Sequence, residues 1–207
     1  MIELFLSAFV SFFVVIDPPG CAPIFYGLTS GATPAQRRRM GIRAVVVATL
    51  ILLLFALVGE PMLAVLGIEL SSFRIAGGVM LFFIAIDMVF EKRTQRREDR
   101  AQKVKETPEI EDVSIFPMAM PMIAGPGSIA TVMLIMARAQ GLEANIAVLA
   151  ALFANLALMM GALLAVGPLM RLFGQNVEAV ITRVLGVILA ALAVQFIVDG
   201  LKGSHLF

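Results

Sequence analysis

The chain has 207 residues, of which 60% are hydrophobic and 15% charged, with a formal net charge of +1 and a mean hydropathy of +0.96. Soluble domains are about 45–50% apolar, so this composition excludes a soluble globular domain, and the balanced charge argues against nucleic acid as a partner. With Cys21 the only cysteine and His205 the only histidine, no intrachain disulfide, cysteine cluster or histidine-based metal site can be assembled.

Crossing a hydrocarbon core of about 30 Å takes about 20 predominantly apolar residues in a helix. Open strands would leave edge groups unpaired in lipid. Six segments qualify: Ile2–Ser30, Ile42–Leu66, Phe73–Phe90, Val113–Ala137, Ala144–Val166 and Val177–Leu201. The first carries no Lys or Arg before Arg37, so it lacks the basic start of a cleaved leader and reads as a retained span. Asp17-Pro18-Pro19-Gly20 interrupts it, with Gly20 expected to take the sharp turn and a half-helix to resume around Pro23. The fourth segment holds Pro117, Pro121 and Gly125-Pro126-Gly127, with Ser128 a natural N-cap for a restarted helix. Helices one and four are therefore expected to be broken.

Between the third and fourth segments, residues 91–112 carry seven basic and seven acidic side chains and read as a solvated cytoplasmic linker. It divides the chain into a first repeat, residues 1–90, and a second, residues 113–207. Thirteen of the sixteen Lys and Arg fall on one side of a six-span topology, leaving Arg74, Arg138 and Lys202 on the other. The expected orientation puts both termini outside.

The halves align. Pro19-Gly20 falls on Pro126-Gly127, Pro61 on Pro168 and Gly67 on Gly174 at an offset of 107, and Arg74-Ile75-Ala76-Gly77 matches Arg183-Val184-Leu185-Gly186 at 109. Three spans per half make the second copy run upside down. The expected fold is all-α integral membrane: six transmembrane helices as two inverted three-helix repeats. Inverted repeats with corresponding broken helices point to a transporter whose site lies at the breaks, because irregular backbone at mid-membrane is tolerated where it lines a cavity. Each restarted half-helix is expected to direct free N–H groups and a positive dipole end at a substrate anion.

The candidate substrate- and ion-binding residues are Asp17, Pro18, Pro19, Gly20, Gly125, Pro126, Gly127, Ser128, Thr131 and Asn155. Asp17 is an acid deep in an apolar run, where it holds a coupling cation, relays a proton, pairs with a substrate ammonium, or merely caps the next helix. Ser128 and Thr131, three apart, share a helical face and either reach a ligand or back-bond to their own helix. Asn155 and Gln195 are mid-span amides that need partners, as ligand groups or as interhelical glue. Asp87, Asp199 and Glu60 lie near span ends, where interfacial solvation accounts for them. Gly77, Gly78 and Gly186 allow close helix packing.

Asp17-Pro18-Pro19-Gly20, Ala124-Gly125-Pro126-Gly127-Ser128 and Phe73-Arg74-Ile75-Ala76-Gly77-Gly78, in register with six spans, resemble the MarC family of bacterial inner-membrane proteins over essentially the whole chain. Some of that family, the SnatA-like proteins, look like cation-coupled transporters of small neutral amino acids such as glycine and alanine. The resemblance implies a zwitterionic substrate, coupling to Na⁺ or H⁺ with no other cofactor, and the lipid bilayer as surroundings. An exporter of amino acids or toxic compounds and a structural or regulatory membrane protein are the alternatives. No P-loop is present, and no nucleophile–base pair or paired carboxylates at membrane depth suggest an enzyme.

Overall fold

The computed structural model describes residues 1–90 and 112–204, and among these every regular element is helical. The charged linker expected at residues 91–112 lies outside the described residues except for Asp112, as does His205. Five helical stretches are long and apolar enough to cross a membrane, and a bent pair makes a sixth when counted as one span.

Helix α1, Ile2–Ile16, ends where Asp17 adopts a left-handed conformation (φ 59°, ψ 64°), and α2, Pro18–Leu28, begins at the next residue. The physical cause is local. A residue preceding proline is driven out of the right-handed helical region, Asp tolerates the left-handed one, and proline is at home in a first turn that has no N–H bond to lose. The sharp turn therefore belongs to Asp17 rather than to Gly20, and the helix restarts at Pro18 rather than around Pro23. Pro23 lies inside α2.

Helix α3, Pro34–Val65, starts earlier than the apolar run because Thr33 and Gln36 form a reciprocal capping box. Its 32 residues extend about 48 Å at 1.5 Å per residue, so its arginine-bearing first turns project beyond a 30 Å core. Helix α4 is Leu70–Val89. The fourth span comprises a widely wound segment, Ser114–Ile123, then α5, Pro126–Met136, the two bent by 51°. Phe116 and Met120, each before a proline, are extended within that segment, as proline sterics require. Helix α6, Leu142–Leu164, comes after Gly141 at φ 90°. Helix α7, Val166–Gly203, starts well before the expected Val177, because Pro168 falls in its first turn, where no helical bond is forfeited. Its apolar stretch is Val180–Gly203.

Packing crosses the two halves: α4 lies along α7, α1 against α6, and α3 against Ser114–Ile123, α5 and α6, while α2 touches α6 and α7. The apolar window of the first span is 56% buried, against 28% in α3, α4 and Val180–Gly203, which puts the broken span at the centre. Its Phe12, Ile16 and Phe25 share one core with Leu81, Leu134, Leu152 and Phe196 of the helices around it. Leu50, Leu54 and Leu57 on α3 and Phe83 on α4 point outward, the arrangement a lipid-facing surface requires.

The α4–α7 seam is reciprocal. A Cβ on Gly78 would sit 2.8 Å from the carbonyl oxygen of Ala193, and one on Gly186 would sit 3.1 Å from that of Ala85. Gly78 and Gly186, and likewise Ala85 and Ala193, are 108 residues apart. These glycines let two backbones approach closely, as expected of them.

Candidate functional site

At the first break Asp17 is 1% exposed. Its Oδ1 accepts a hydrogen bond of 3.1 Å from the Gly20 N–H, so it caps α2. Pro18 and Pro19 have no N–H, the Gly20 amide is taken by this carboxylate, and the Cys21 amide bonds to the Asp17 carbonyl at 3.0 Å. The expected free donors at the start of α2 are thus already used or missing. Gly20 matters by its size: a Cβ there would lie 2.3 Å from Asp17 Oδ2. Nothing in the sequence pattern pointed to Cys21. In the structure its thiol, fully buried, lies 3.6 Å from the Ile16 carbonyl oxygen, one of the acceptors released where α1 stops.

At the second break the N-cap of α5 is Gly125, with no side-chain cap, and Ser128 falls three residues in. A Ser128 cap is therefore not what forms, because Pro126 takes the first helical position its fixed φ suits. A Cβ on Gly125 would lie 2.3 Å from the Pro121 carbonyl oxygen, so glycine is required there. The first-turn amides of Gly127 and Ser128 have no carbonyl within their helix to bond. The two breaks thus differ: α2 begins on a carboxylate, and α5 begins with donors that no described residue accepts from and a positive dipole end.

The breaks lie together. The Cβ position of Gly127 is 3.5 Å from Val15 Cγ1 and 2.6 Å from Ile84 Cδ1, which brings the start of α5 to the end of α1 and against α4. Ser128 is 3% exposed, and Thr131 and Asn155 are fully buried. The Asn155 amide nitrogen donates at 3.0 Å to the Phe9 carbonyl on α1 and at 3.0 Å to the Ala151 carbonyl on its own helix. Half of Asn155 is therefore interhelical glue. Among the described residues its Oδ1 has no partner, and neither has Thr131 Oγ1.

Other polar groups lie at the ends of the spans. Asp199, expected to be merely solvated, pairs with Arg138 and accepts from Gln195 Nε2 at 2.7 Å, which accounts for that mid-span amide. Burial and the neighbouring Arg74 pull the Arg138 guanidinium below its ordinary value, against the opposing pull of Asp199. Sequence reasoning missed this cluster, since its members lie 61 residues apart. At the arginine-rich end, Arg37 bonds Thr29 Oγ1 at 3.0 Å and the Thr29 carbonyl at 2.8 Å, closing the C-terminus of α2. Arg43 pairs with Asp112. A cavity of about 560 Å³ beside them is lined by Leu28, Gln36, Arg39, Met40, Arg43 and Asp112, among others, and by none of the break residues. Burial raises the Asp112 carboxyl, but the hydrogen bond from the Ser114 N–H at 2.9 Å and the Arg43 charge outweigh it and hold the group below its ordinary value. Among the described residues no cluster of His, Cys, Asp and Glu suited to a metal ion is found.

The family model described as "MarC family integral membrane protein" matches residues 2–205. The chain belongs to the MarC family. Relatives extend over nearly the full MarC chain: a UPF0056 membrane protein of Methanocaldococcus jannaschii is 35% identical over 99% of both chains. The UPF0056 membrane protein YvbG of Bacillus subtilis is 34% identical over 98% of this chain and 96% of its own, and YhcE of Escherichia coli is 32% identical over 97% and 93%. No solved structure matches.

Proposed function

We propose that this MarC-family chain is a secondary transporter of small neutral amino acids of glycine or alanine size, coupled to a Na⁺ or H⁺ gradient and working by alternating access between two inverted three-helix repeats. The observation that carries the reading is the meeting of two broken helices inside the bundle. The start of α5 lies against the last turn of α1, with the buried carboxylate of Asp17 at one break and unused amides at the other. Backbone interrupted at membrane depth is tolerated where protein or a water-filled cavity surrounds it, and such breaks are where transporters hold their solutes. A zwitterion matches both ends: its carboxylate suits the α5 N-terminus, and its ammonium needs acceptors. The inverted repeat is supported by the cross-packing of the halves and by the reciprocal glycine contacts between α4 and α7.

The bacterial inner membrane with both termini outside is the location this reading carries, in keeping with the arginine distribution. The test is uptake of radiolabelled glycine and alanine into proteoliposomes under imposed Na⁺ or H⁺ gradients, with Asp17→Asn as the site variant. Gradient-driven uptake that falls in the variant supports the proposal. No uptake by folded, inserted protein rejects this substrate class.

A further inference from the structure

Hydroxyls and amides buried in an apolar helix bundle normally satisfy themselves by bonding back to a carbonyl one turn earlier, and this chain does so repeatedly. Ser11 bonds the Ser7 carbonyl, Thr29 that of Phe25 and Thr49 that of Val45, each at 2.7 Å. Among the described residues five buried side-chain atoms lack a partner, Arg74 Nε, Ser114 Oγ, Thr131 Oγ1, Asn145 Oδ1 and Asn155 Oδ1, and of these Thr131 and Asn155 are the two fully buried on helices packed against α1. Thr131 is fully buried on α5, one turn after Gly127, yet among the described residues its Oγ1 has no partner. Asn155 is the other of these two. Both of its amide N–H groups have carbonyl acceptors at 3.0 Å, on Phe9 and Ala151, which fixes the amide and leaves Oδ1 as an acceptor with nothing to accept. Leaving such groups buried and unsatisfied costs roughly 1–3 kcal/mol each. Both helices pack on α1, Asn155 touching Phe9 and Gly127 approaching Val15.

An amide oxygen whose nitrogen is already committed accepts hydrogen bonds or coordinates cations and does nothing else. We infer that Asn155 Oδ1 and Thr131 Oγ1 receive a compact cationic group, either the ammonium of a small zwitterion or a bare monovalent cation. This rests on the transport site proposed above and gives it polarity. The unused amides of Gly127 and Ser128 take the anionic end. At 1.5 Å per residue the level of Thr131 is about 6 Å along α5 from Gly127, a span that a glycine- or alanine-sized molecule bridges with a hydrogen bond at each end.

The test is thermal unfolding of the full purified chain in detergent, titrated with methylammonium chloride or with sodium chloride and held at constant ionic strength with choline chloride, whose cation is too bulky. The variants are Thr131→Val and Asn155→Leu. Val removes only the unpartnered hydroxyl and keeps the shape, so in choline Thr131→Val is expected to melt at or above the wild-type temperature. The cation concentration giving half the stabilisation is expected to rise roughly 10-fold or more, since a hydrogen bond to a charged group is worth about 1.5–3 kcal/mol. Asn155→Leu abolishes the shift or, if it fails to fold, leaves Thr131→Val as the deciding variant. A response to methylammonium alone identifies the ammonium, and a response to sodium alone the bare ion. The inference is overturned if neither salt stabilises beyond choline, if Thr131→Val keeps the full shift, or if it melts below wild type in choline. Because this readout needs no transport, a cation shift without glycine uptake sinks the amino acid reading and spares the site. Uptake untouched by Thr131→Val does the reverse.

Discussion

Asp17 combines two tasks that substitutions can separate, the turn between α1 and α2 and the negative charge. Its backbone is left-handed at φ 59°, and its carboxylate caps α2 through the Gly20 amide at 3.1 Å. Asn tolerates the same backbone region and caps a helix as well as Asp does, so Asp17→Asn is expected to fold with wild-type stability while lacking the charge. Asp17→Gly keeps the backbone freedom and loses the side-chain cap, a loss of a few tenths of a kcal/mol to about 1. Asp17→Ala loses the cap, about 1 kcal/mol, and leaves a Cβ in the left-handed region with no local hydrogen bond to ease it, roughly 1–2 kcal/mol more. Thermal unfolding in detergent should therefore rank Asp and Asn together, then Gly, then Ala about 2–3 kcal/mol below. The same proteins in proteoliposomes should show glycine uptake falling in Asn and Gly alike. If Asn is as unstable as Ala, the charge and not the cap geometry holds this turn, and the local account is wrong. If Asn is stable and transports at the wild-type rate, the carboxylate has no part in the mechanism.

Gly20→Ala should displace the capping carboxylate, because the new Cβ would meet Asp17 Oδ2 at 2.3 Å. Its destabilisation of about 1 kcal/mol should largely vanish in an Asp17→Gly background, a double-mutant cycle read by melting temperature. Gly78→Ala should cost about 1–3 kcal/mol by overpacking against backbone of α7, whereas Gly161→Ala in α6, with nothing within 4 Å, should stabilise by up to about 1 kcal/mol. The depressed Asp112 carboxyl makes its pairing with Arg43 a stabilising contact above the ordinary carboxylate range, lost as pH falls through the lowered value. The melting-temperature difference between wild type and Arg43→Gln should accordingly shrink as the pH is lowered from about 7 to about 3.

Much of this architecture was legible in the residues. The apolar stretches follow from the length of helix needed to cross hydrocarbon, five standing as helical stretches long enough to span and the fourth as a bent pair, and the interruptions at Asp17-Pro18-Pro19 and at Gly125-Pro126-Gly127 follow from proline's missing N–H. The ten candidate site residues all lie at the two breaks or on the helices beside them. The division of tasks among those residues emerges only in three dimensions. Asp17 rather than Gly20 makes the turn, because the residue before a proline must leave the helical region and this one tolerates the left-handed one. Gly125 rather than Ser128 caps α5, because Pro126 claims the first helical position. The asymmetry between an occupied α2 N-terminus and an open α5 N-terminus comes from a hydrogen bond between residues three apart, visible once the backbone angle of Asp17 is known. Asn155 was recognisable as a buried amide, but the division of its two ends depends on Phe9, 146 residues away. Which atom of a buried polar side chain remains unpaired is a property of packing, because it is set by the neighbours that folding supplies.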